Sequence, residues 1–486
     1  MNIIAKNEFF SWILRNYPDA DIKGEMHDVR EIVKHSQKAK NGSLFVCLKG
    51  IMTDGHDYAL SAYKNGCRIF LCEKPLSLPS DATVVLVRSV LKGLWGMLSD
   101  FYGISEHDFT FCAITGTKGK STTAVMLTHI LNKAGYKAAC STTLGLFDGI
   151  QTEETENTTP DLFTIVPWLS TLKAKSIRFA IIEVSSAALA GGRLFGMRFD
   201  IGILTSFSKD HVGKGEHRTM AEYLCAKKSL FSSYSIQTAI YEREIYRGAF
   251  IVSDAKRIVS IEHDNAVIGH VEELEQGQRF MYKNQTVTLP LPGAYNRTNA
   301  RLALSAASLL TSKKEDQLIQ FLSDVKIAGR YEQIVKDGIC VVIDYAHNFE
   351  SFRAISDTAK RRTKGRLLAV FGSVGDRGEG RRATLGKAAS TCFDYSVITE
   401  DDPGNEGAFH ICTEIYAAFP DKSRACIVAD RTDAIRYGLS LCHQGDTLLL
   451  LGKGHERIQR TKNGLIPFSE RETVFSFFNE ETKGVY

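Results

Sequence analysis

Short apolar runs of strand length recur along the chain, and segments of helix length separate them. The clearest runs are SLFVCL, RIFLC, TVVLV, TFCAIT, FAIIEVSS, IGILTSF, ICVVIDYA, RLLAVFG, DYSVIT and DTLLLLG. Runs that are apolar at nearly every position are typical of strands covered on both faces. Their alternation with helices predicts an α/β fold with largely parallel sheets.

The order of these runs predicts three domains, because 486 residues are too many for one compact core. The first, residues 1–107, ends where TFCAITGTKGKST begins a new strand–loop–helix unit. The second covers residues 108–330, and the third, 331–486, begins with YEQIVKDGICVVIDYAH.

Composition excludes several classes of protein. The net charge of +4 is too small to indicate a nucleic acid or an anionic membrane as partner. No apolar run reaches membrane-spanning length, and the N-terminus does not resemble a signal peptide. The 11 cysteines are scattered without a CxxC pair, which favours free thiols in a reducing compartment. We therefore expect a cytoplasmic protein.

A candidate phosphate loop follows the run TFCAI and precedes the helix-like stretch AVMLTHILNKAG. A loop between a strand and a helix N-terminus directs backbone N–H groups at anionic oxygens. Position 114 is isoleucine where the common phosphate-loop pattern has glycine, so the match is to the variant TGTxGK[ST]. The predicted ATP-binding residues are Thr115, Gly116, Thr117, Lys118, Gly119, Lys120, Ser121 and Thr122. Lys120 is expected at the β/γ-phosphates and Ser121 at Mg²⁺.

Polar residues follow other strand-like runs and complete the predicted site. Glu183 ends FAIIE, and His211 follows IGILTSF; at one sheet edge both are candidate Mg²⁺ ligands. Asp344 ends ICVVID, and we expect it and Arg330 to contact the ribose and phosphates of ATP. In the third domain Arg377, Asp402 and Glu456 all follow apolar runs. A sheet edge that carries both positive and negative side chains suits a free amino acid, which itself carries an ammonium and a carboxylate.

These motifs together resemble the Mur ligase superfamily, and within it the ligases that add the third residue to UDP-N-acetylmuramoyl-L-alanyl-D-glutamate. The resemblance covers nearly the whole chain. It rests on the segments DVR at 28–30, LKG at 48–50, DGH at 54–56, TGTKGKST, NTTPD at 157–161, EVSS at 183–186, DH at 210–211, EH at 216–217, GAYNRTN at 293–299, GR at 329–330, DYAH at 344–347 and KGHE at 453–456.

The resemblance implies roles for further residues. Lys227 matches a lysine that is carbamylated and positions Mg²⁺, and Asn299 is the expected contact near the adenine. The expected contacts of the UDP-muramoyl dipeptide are Arg30, Asn157, Thr158, Thr159, Ser185 and Arg193. Relatives commonly have a serine where this chain has Val29.

The identity of the added amino acid depends on the segment Asp401-Asp402-Pro403-Gly404. Diaminopimelate-adding relatives carry Asp-Asn-Pro-Arg there, and the arginine meets the substrate's second carboxylate. Gly404 lacks that group, and Asp402 adds negative charge suited to an ammonium. We therefore expect L-lysine, with ornithine or meso-diaminopimelate as alternatives; KGHE and Gly375-Asp376-Arg377 favour diaminopimelate. The expected amino-acid contacts are Arg377, Asp401, Asp402, Gly452 and Glu456.

The resemblance implies a three-domain α/β ligase that requires ATP and Mg²⁺. The expected domains bind the uridine nucleotide, ATP on a mostly parallel sheet, and the free diamino acid on a Rossmann-like sheet. We expect a monomer that joins the diamino acid to the dipeptide through an acyl phosphate, in peptidoglycan precursor synthesis. The alternatives are a ligase similar to folylpolyglutamate synthetase and a nucleotide-binding regulator without catalysis.

Overall fold

A computed structural model describes residues 3–50, 53–208, 213, 217–243, 255–376 and 379–481. The chain divides into two compact units. One is Met1–Phe207 with Leu224–Ile261, and the other is Ser208–Tyr223 with Glu262–Tyr486. No helix among the described residues is both long enough and apolar enough to span a membrane.

The first unit begins with a five-stranded sheet in the order β1-β5-β4-β3-β2, in which β1 alone is antiparallel to its neighbour. Its strands are β1 (Asp21–Lys23), β2 (Glu31–Val33), β3 (Ser43–Val46), β4 (Ile69–Cys72) and β5 (Thr83–Leu86). Its α-helices are α1 (Lys6–Asn16), α2 (Ala59–Lys64) and α3 (Val90–Tyr102).

The same unit contains an eight-stranded sheet in the order β13-β12-β11-β6-β10-β7-β8-β9. Its strands are β6 (Thr110–Thr115), β7 (Ala138–Thr142), β8 (Gly145–Phe147), β9 (Thr152–Glu153), β10 (Phe179–Glu183), β11 (Arg198–Leu204), β12 (Ser235–Glu242) and β13 (Arg257–Ile261). Two pairs in it are antiparallel, β7 with β8 and β8 with β9, and its other described neighbours are parallel. Because β6 and β10 are parallel neighbours, the phosphate loop and Glu183 leave the same edge of the sheet.

Helices flank this sheet: α4 (Lys120–Lys133), α5 (Leu162–Ala174), α6 (Ser186–Ala190) and α7 (Met220–Ser232). One apolar core joins both sheets of the unit. It includes Phe9 of α1, Leu94 of α3 and Leu169 of α5, each 2% exposed or less. The first two predicted domains therefore share a continuous core.

The second unit begins with α8 (Asp264–Val267) and a three-stranded antiparallel sheet. That sheet consists of β14 (Ile268–Glu273), β15 (Gln278–Tyr282) and β16 (Gln285–Leu289), and the helices α9 (Ala294–Thr311) and α10 (Glu315–Leu318) follow it. These strands were absent from the predicted set, because none of them carries a strong apolar run: β14 is mostly exposed, and β15 and β16 mix buried with exposed positions.

A six-stranded sheet, in the order β17-β18-β22-β19-β20-β21, forms the rest of the second unit. Its strands are β17 (Glu332–Lys336), β18 (Ile339–Asp344), β19 (Leu367–Phe371), β20 (Tyr395–Ile398), β21 (Ala425–Ile427) and β22 (Thr447–Leu451). All neighbours are parallel except β17 and β18.

The remaining elements are the helices α11 (Phe349–Lys360), α12 (Glu379–Cys392), α13 (Ala408–Ala417), α14 (Arg431–Ser440) and α15 (Glu470–Glu481), and the hairpin β23 (Ile458–Thr461) and β24 (Gly464–Pro467). Two apolar clusters cover the two faces of the six-stranded sheet. The α/β fold that the sequence predicts is confirmed, and each of the ten apolar runs contains a strand.

Candidate active site

The phosphate loop turns sharply from the end of β6 into α4. Gly116 has a φ of +153°, and a Cβ there would lie 2.0 Å from Oγ1 of Thr205. Gly119, with a φ of +83°, is the N-cap residue of α4. Both positions require a backbone that residues with a side chain rarely adopt, so the two glycines of the motif create this turn.

Two residues at the end of β11 hold the loop in place. Thr117 donates its backbone N–H to the carbonyl of Ser206, at 2.9 Å. Lys118 donates its own N–H to Ser206 Oγ at 2.8 Å, and its carbonyl accepts a hydrogen bond from that hydroxyl. Thr205 Oγ1 donates to the same carbonyl. The loop is therefore fixed before any ligand binds.

Lys120 and Ser121 begin α4 and point to the end of β10. Lys120 Nζ donates to the carbonyls of Gly116 and Thr117, at 3.0 and 3.1 Å, and lies 4.0 Å from Glu183 Oε1. Ser121 Oγ donates to Glu183 Oε2 at 2.7 Å. The sequence analysis assigned these three residues to one predicted site, and the structure places their side chains together.

Glu183 lies at the centre of this group and is 1% exposed. Besides Ser121, its Oε2 accepts hydrogen bonds from the backbone N–H and the hydroxyl of Thr143, at 2.9 and 3.2 Å. A carboxylate and neighbouring hydroxyls are the oxygen ligands that Mg²⁺ prefers. The residues present therefore fit a Mg²⁺ ion beside the phosphate loop.

Lys227 approaches the same loop from α7. Its side chain is 1% exposed, and its Nζ donates to the carbonyl of Gly116 at 2.7 Å. Lys120 donates to that same oxygen. Two ammonium groups thus converge on one carbonyl, although they lie more than 100 residues apart in the sequence.

The predicted muramoyl contacts lie around the other side of Glu183. Thr159 Oγ1 donates to the backbone carbonyl of Glu183 and accepts from the N–H of Ser185, each at 2.9 Å. Arg193 donates to the carbonyl of Thr159 at 3.0 Å, and Thr158 Oγ1 lies 3.3 Å from Thr143 Oγ1. These bonds connect the Asn-Thr-Thr-Pro segment to the Mg²⁺ candidate.

The remaining predicted contacts of this substrate are more exposed. Asn157 is exposed at the surface near Thr158. Arg30 is also exposed, next to β2, and its backbone N–H donates to the carbonyl of Gly42 at 2.8 Å. Val29, which departs from the family pattern, is fully buried and pairs with Ile4. Its side chain therefore belongs to the core.

Some predicted positions lie outside the described residues, namely His211 with its neighbour Asp210, Glu216 and Arg377. Three predicted ATP contacts belong to the second unit. Asn299 is buried in α9, and its Nδ2 donates to Asn296 Oδ1 at 3.3 Å. Asp344 accepts the backbone N–H groups of Tyr331 and Ala346, each at 2.8 Å.

Arg330, the third of these, lies over the ring of Tyr345, with 4.7 Å between the guanidinium carbon and the ring centroid. Tyr345 directly follows β18, and Arg330 follows Gly329, which has a φ of +61°. This stacking orients the planar guanidinium.

The predicted amino-acid contacts form an acidic group at the ends of β20 and β22. Carboxylate oxygens of Asp401, Asp402 and Glu456 lie within 4.8 Å of one another. Lys453, which is 0% exposed, is among them: its Nζ lies 2.7 Å from Asp402 Oδ1 and 2.6 Å from Glu456 Oε2. Burial opposes its charge, but the three carboxylates outweigh burial and raise the pKa of Lys453. The Lys453 ammonium thus lies among these carboxylates, where a metal cation would otherwise bind.

Glycines at two turns leave space for the charged groups of this site. Gly452 has a φ of +114°, and a Cβ there would lie 2.7 Å from Asp401 Oδ2. Gly404 has a φ of +59°, and a Cβ there would lie 2.2 Å from Asp376 Oδ2. That Asp376 oxygen also accepts both the backbone and side-chain N–H groups of Asn405. The carboxylate of Asp376 therefore fills the space where a side chain at position 404 would begin.

Sequence reasoning missed Thr143, the Thr205-Ser206 pair and Lys453. The first two sets directly follow β7 and β11, so their position at strand ends was an available signal. For Lys453 the signal was weaker, because pairing with Asp402 joins residues 51 positions apart.

Comparison with known proteins gives three family matches along the chain. They are the Mur ligase family, catalytic domain, over residues 29–92, the Mur ligase middle domain over 114–307, and the Mur ligase glutamate ligase domain over 329–454. A curated relative from Clostridium botulinum, a UDP-N-acetylmuramoyl-L-alanyl-D-glutamate–2,6-diaminopimelate ligase, is 32% identical over 482 residues. The match covers 96% of this chain and 99% of the relative.

Solved structures give the same fold. A ligase of that same name matches with a TM-score of 0.64 and 24% identity, covering 97% of this chain and 99% of that one. A folylpolyglutamate synthase from Mycobacterium tuberculosis matches with a TM-score of 0.60 and 17% identity. It covers 74% of this chain, against the 97% above.

Proposed function

The chain belongs to the Mur ligase family and is an ATP-dependent amide ligase, and from this premise we propose that it adds a diamino acid to UDP-N-acetylmuramoyl-L-alanyl-D-glutamate. The product would be a UDP-muramoyl tripeptide for peptidoglycan synthesis, made in the cytoplasm by a monomer. The observation that carries the proposal is the group of Lys120, Ser121 and Glu183 at the phosphate loop.

The proposed reaction has two steps. An oxygen of the D-glutamate γ-carboxylate attacks the γ-phosphorus of ATP, ADP leaves, and an acyl phosphate forms. The α-amine of the diamino acid then attacks the acyl carbon, phosphate leaves, and the amine loses a proton. Lys120 would donate hydrogen bonds to phosphate oxygens, and backbone N–H groups at the N-terminus of α4 would face them.

Ser121 and Glu183 would hold Mg²⁺, and the predicted third ligand is His211. When bound, the ion would neutralise charge on the phosphate oxygens. Lys227 is the proposed carbamylated residue: the modification turns an ammonium into an anion, so two like charges would no longer share the carbonyl of Gly116.

The UDP-muramoyl dipeptide would contact the surroundings of Glu183. The proposed contacts are Arg30, Asn157, Thr158, Thr159, Ser185 and Arg193. The bonds of Thr159 to Glu183 and Ser185 support this, because they connect the substrate segment with the reaction centre. Asn299, Arg330 and Asp344 remain proposed ATP contacts, and 1–107, 108–330 and 331–486 remain the proposed domains.

The identity of the added amino acid is the more specific part of the proposal. The name of the Clostridium botulinum relative favours 2,6-diaminopimelate over the L-lysine expected from the sequence. A specific observation still supports L-lysine as second candidate: Asp376 fills the space beside Gly404, where diaminopimelate-adding relatives carry an arginine. Three carboxylates against one lysine also leave excess negative charge for an ammonium. Arg377, Asp401, Asp402, Gly452 and Glu456 are the proposed contacts.

A competition assay tests the amino-acid choice. Equal concentrations of meso-diaminopimelate, L-lysine and L-ornithine would be supplied together with ATP, Mg²⁺ and the UDP-muramoyl dipeptide, and the tripeptide products separated by mass. A product that contains diaminopimelate alone would reject the argument from Gly404. A product that contains lysine alone would reject transfer of the relative's substrate to this chain.

A further inference from the structure

A fully buried ion pair joins two helices behind the proposed amino-acid site. Arg431 begins α14 and Glu470 begins α15, and both side chains are 0% exposed. Nη2 of Arg431 lies 2.5 Å from Oε1 of Glu470, and Nε lies 3.2 Å from the same oxygen. Neither residue carries a role in the reaction proposed above.

The pair bonds to the backbone of both loops that carry the acidic group. Arg431 Nη1 donates to the carbonyl of Glu400 at 2.9 Å, directly before Asp401. Its Nη2 donates to the carbonyl of Leu451 at 2.8 Å, directly before Gly452. The other oxygen of Glu470, Oε2, accepts the N–H of Gly454 at 3.1 Å.

The energetic setting argues against a role in stability alone. Burial of two charges costs solvation free energy, and an apolar pair of similar volume often stabilises a fold as well or better. A cation in the first turn of a helix also opposes the helix dipole. What an apolar pair could not provide is the set of hydrogen bonds to three backbone groups in the two loops, because these need the donors of a planar guanidinium and the acceptors of a carboxylate.

We propose that Arg431 and Glu470 are positioning residues that set the spacing between the 401–402 loop and the 452–456 loop, and thereby the affinity for the diamino acid. The inference rests on the proposed function, since it assigns those loops to the amino acid. Among its bonds above, the pair touches none of the residues proposed for the UDP-muramoyl dipeptide. The 452–456 loop also donates the N–H of Gly452 to the carbonyl of Asp344, a proposed ATP contact, at 3.1 Å, so a smaller effect on ATP is expected.

The test replaces the pair by apolar residues of similar length, Arg431→Met with Glu470→Leu, in the full chain. We expect the KM for the diamino acid to rise about tenfold or more, because small displacements of binding groups have large effects. The KM for the UDP-muramoyl dipeptide should stay within about twofold of the native value, and the KM for ATP should rise less than the KM for the diamino acid. Amide exchange in the segment 452–456 should accelerate, because Gly454 loses its acceptor.

The chain offers a control at the opposite end of the same sheet. Arg366 precedes β19 and Asp446 precedes β22, and they form an ion pair at 2.8 Å. Arg366→Met with Asp446→Leu removes an ion pair from the same sheet without touching either loop, although this pair is less buried because Arg366 is 46% exposed. We expect it to change stability while leaving the KM for the diamino acid within about twofold.

Each result of this test either supports or overturns the inference. A selective rise in the KM for the diamino acid, together with faster exchange at 452–456, supports the inference; native KM values, or equal rises for all three substrates, overturn it. If the double variant does not fold, Arg431→Lys takes its place, because an ammonium lacks the fork that reaches both carbonyls and the carboxylate. If the native chain shows no turnover with any of the diamino acids, the proposed function fails. Exchange at 452–456 relative to the control then decides the positioning claim alone.

Discussion

At the scale of single residues, the site depends on side chains that follow parallel strands. Lys120, Ser121 and Glu183 could be predicted from sequence because each stands where an apolar run ends or a helix begins. Thr143 directly follows β7, so the same signal was available for it. The pairing of Lys453 could not be predicted, because its partner Asp402 lies 51 positions away. Glu183 accepts three hydrogen bonds from its neighbours, which aligns one carboxylate oxygen before any ion arrives.

The charge of Glu183 should be essential for turnover. Glu183→Gln keeps the size and an acceptor oxygen for Ser121 but removes the negative charge that would hold Mg²⁺. We expect kcat to fall about 100-fold or more, as for loss of a group that stabilises charge in the transition state. The measurement is phosphate release at increasing Mg²⁺. Glu153→Gln, at an exposed strand carboxylate, is the control and should retain native activity.

Lys227 and Lys228 provide a matched pair of neighbours on α7. Lys227 is buried against the phosphate loop, whereas Lys228 is only partly buried. Lys227→Ala should lower kcat about 100-fold, and Lys228→Ala should leave it within about twofold. Native activity should also rise with added bicarbonate if Lys227 is carbamylated. Full activity of Lys227→Ala in phosphate release would remove this residue from the mechanism.

At the scale of elements, strands that are apolar on both faces were predictable and polar antiparallel strands were not. The ten apolar runs carry their own signal, because parallel strands are covered by helices. The strands β14, β23 and β24 are short and partly or wholly exposed, so only pairing with a neighbour identifies them. The phosphate loop lies between these cases: its glycines predict the turn, while Thr205 and Ser206 fix its position.

A comparison of two glycines with positive φ, Gly116 in the phosphate loop and Gly135 after α4, separates loss of stability from loss of ATP binding. Gly116→Ala places a Cβ 2.0 Å from Thr205 Oγ1, whereas Gly135→Ala, at a φ of +91°, meets no atom within 4 Å. Gly135→Ala should lose about 1–2 kcal/mol of stability from the backbone conformation, and Gly116→Ala should lose more because of its overlap with Thr205. Only Gly116→Ala should also raise the KM for ATP, by about tenfold or more, because the loop must move. Unfolding in urea and ATP titration measure the two effects; equal KM values would contradict the account.

At the scale of the molecule, the boundary predicted near residue 107 does not interrupt the core of the first unit. Leu94 of α3 and Leu169 of α5 belong to one apolar cluster, although they lie in the first and second predicted domains. Sequence could indicate the restart of a strand–loop–helix unit there. It could not indicate shared burial, since an apolar helix face does not identify its partner.

Shared burial predicts that the two sheets of this unit unfold together. Leu94→Ala should cost about 2–5 kcal/mol, as for truncation of a buried leucine. Amide exchange should accelerate in both β4 and β10, which belong to different sheets. Leu60→Ala, at a leucine that is 50% exposed, is the control and should change neither. Faster exchange confined to β4 would mean that the sheets unfold independently.

The measurement that tests the central claim most directly is phosphate release from ATP with the UDP-muramoyl dipeptide, Mg²⁺ and one diamino acid. The account predicts release only when all components are present, with either meso-diaminopimelate or L-lysine as acceptor, and equal amounts of tripeptide and phosphate. L-alanine, which lacks the second amine, should give none. Absence of release with every diamino acid, or release without the dipeptide, would contradict the assignment.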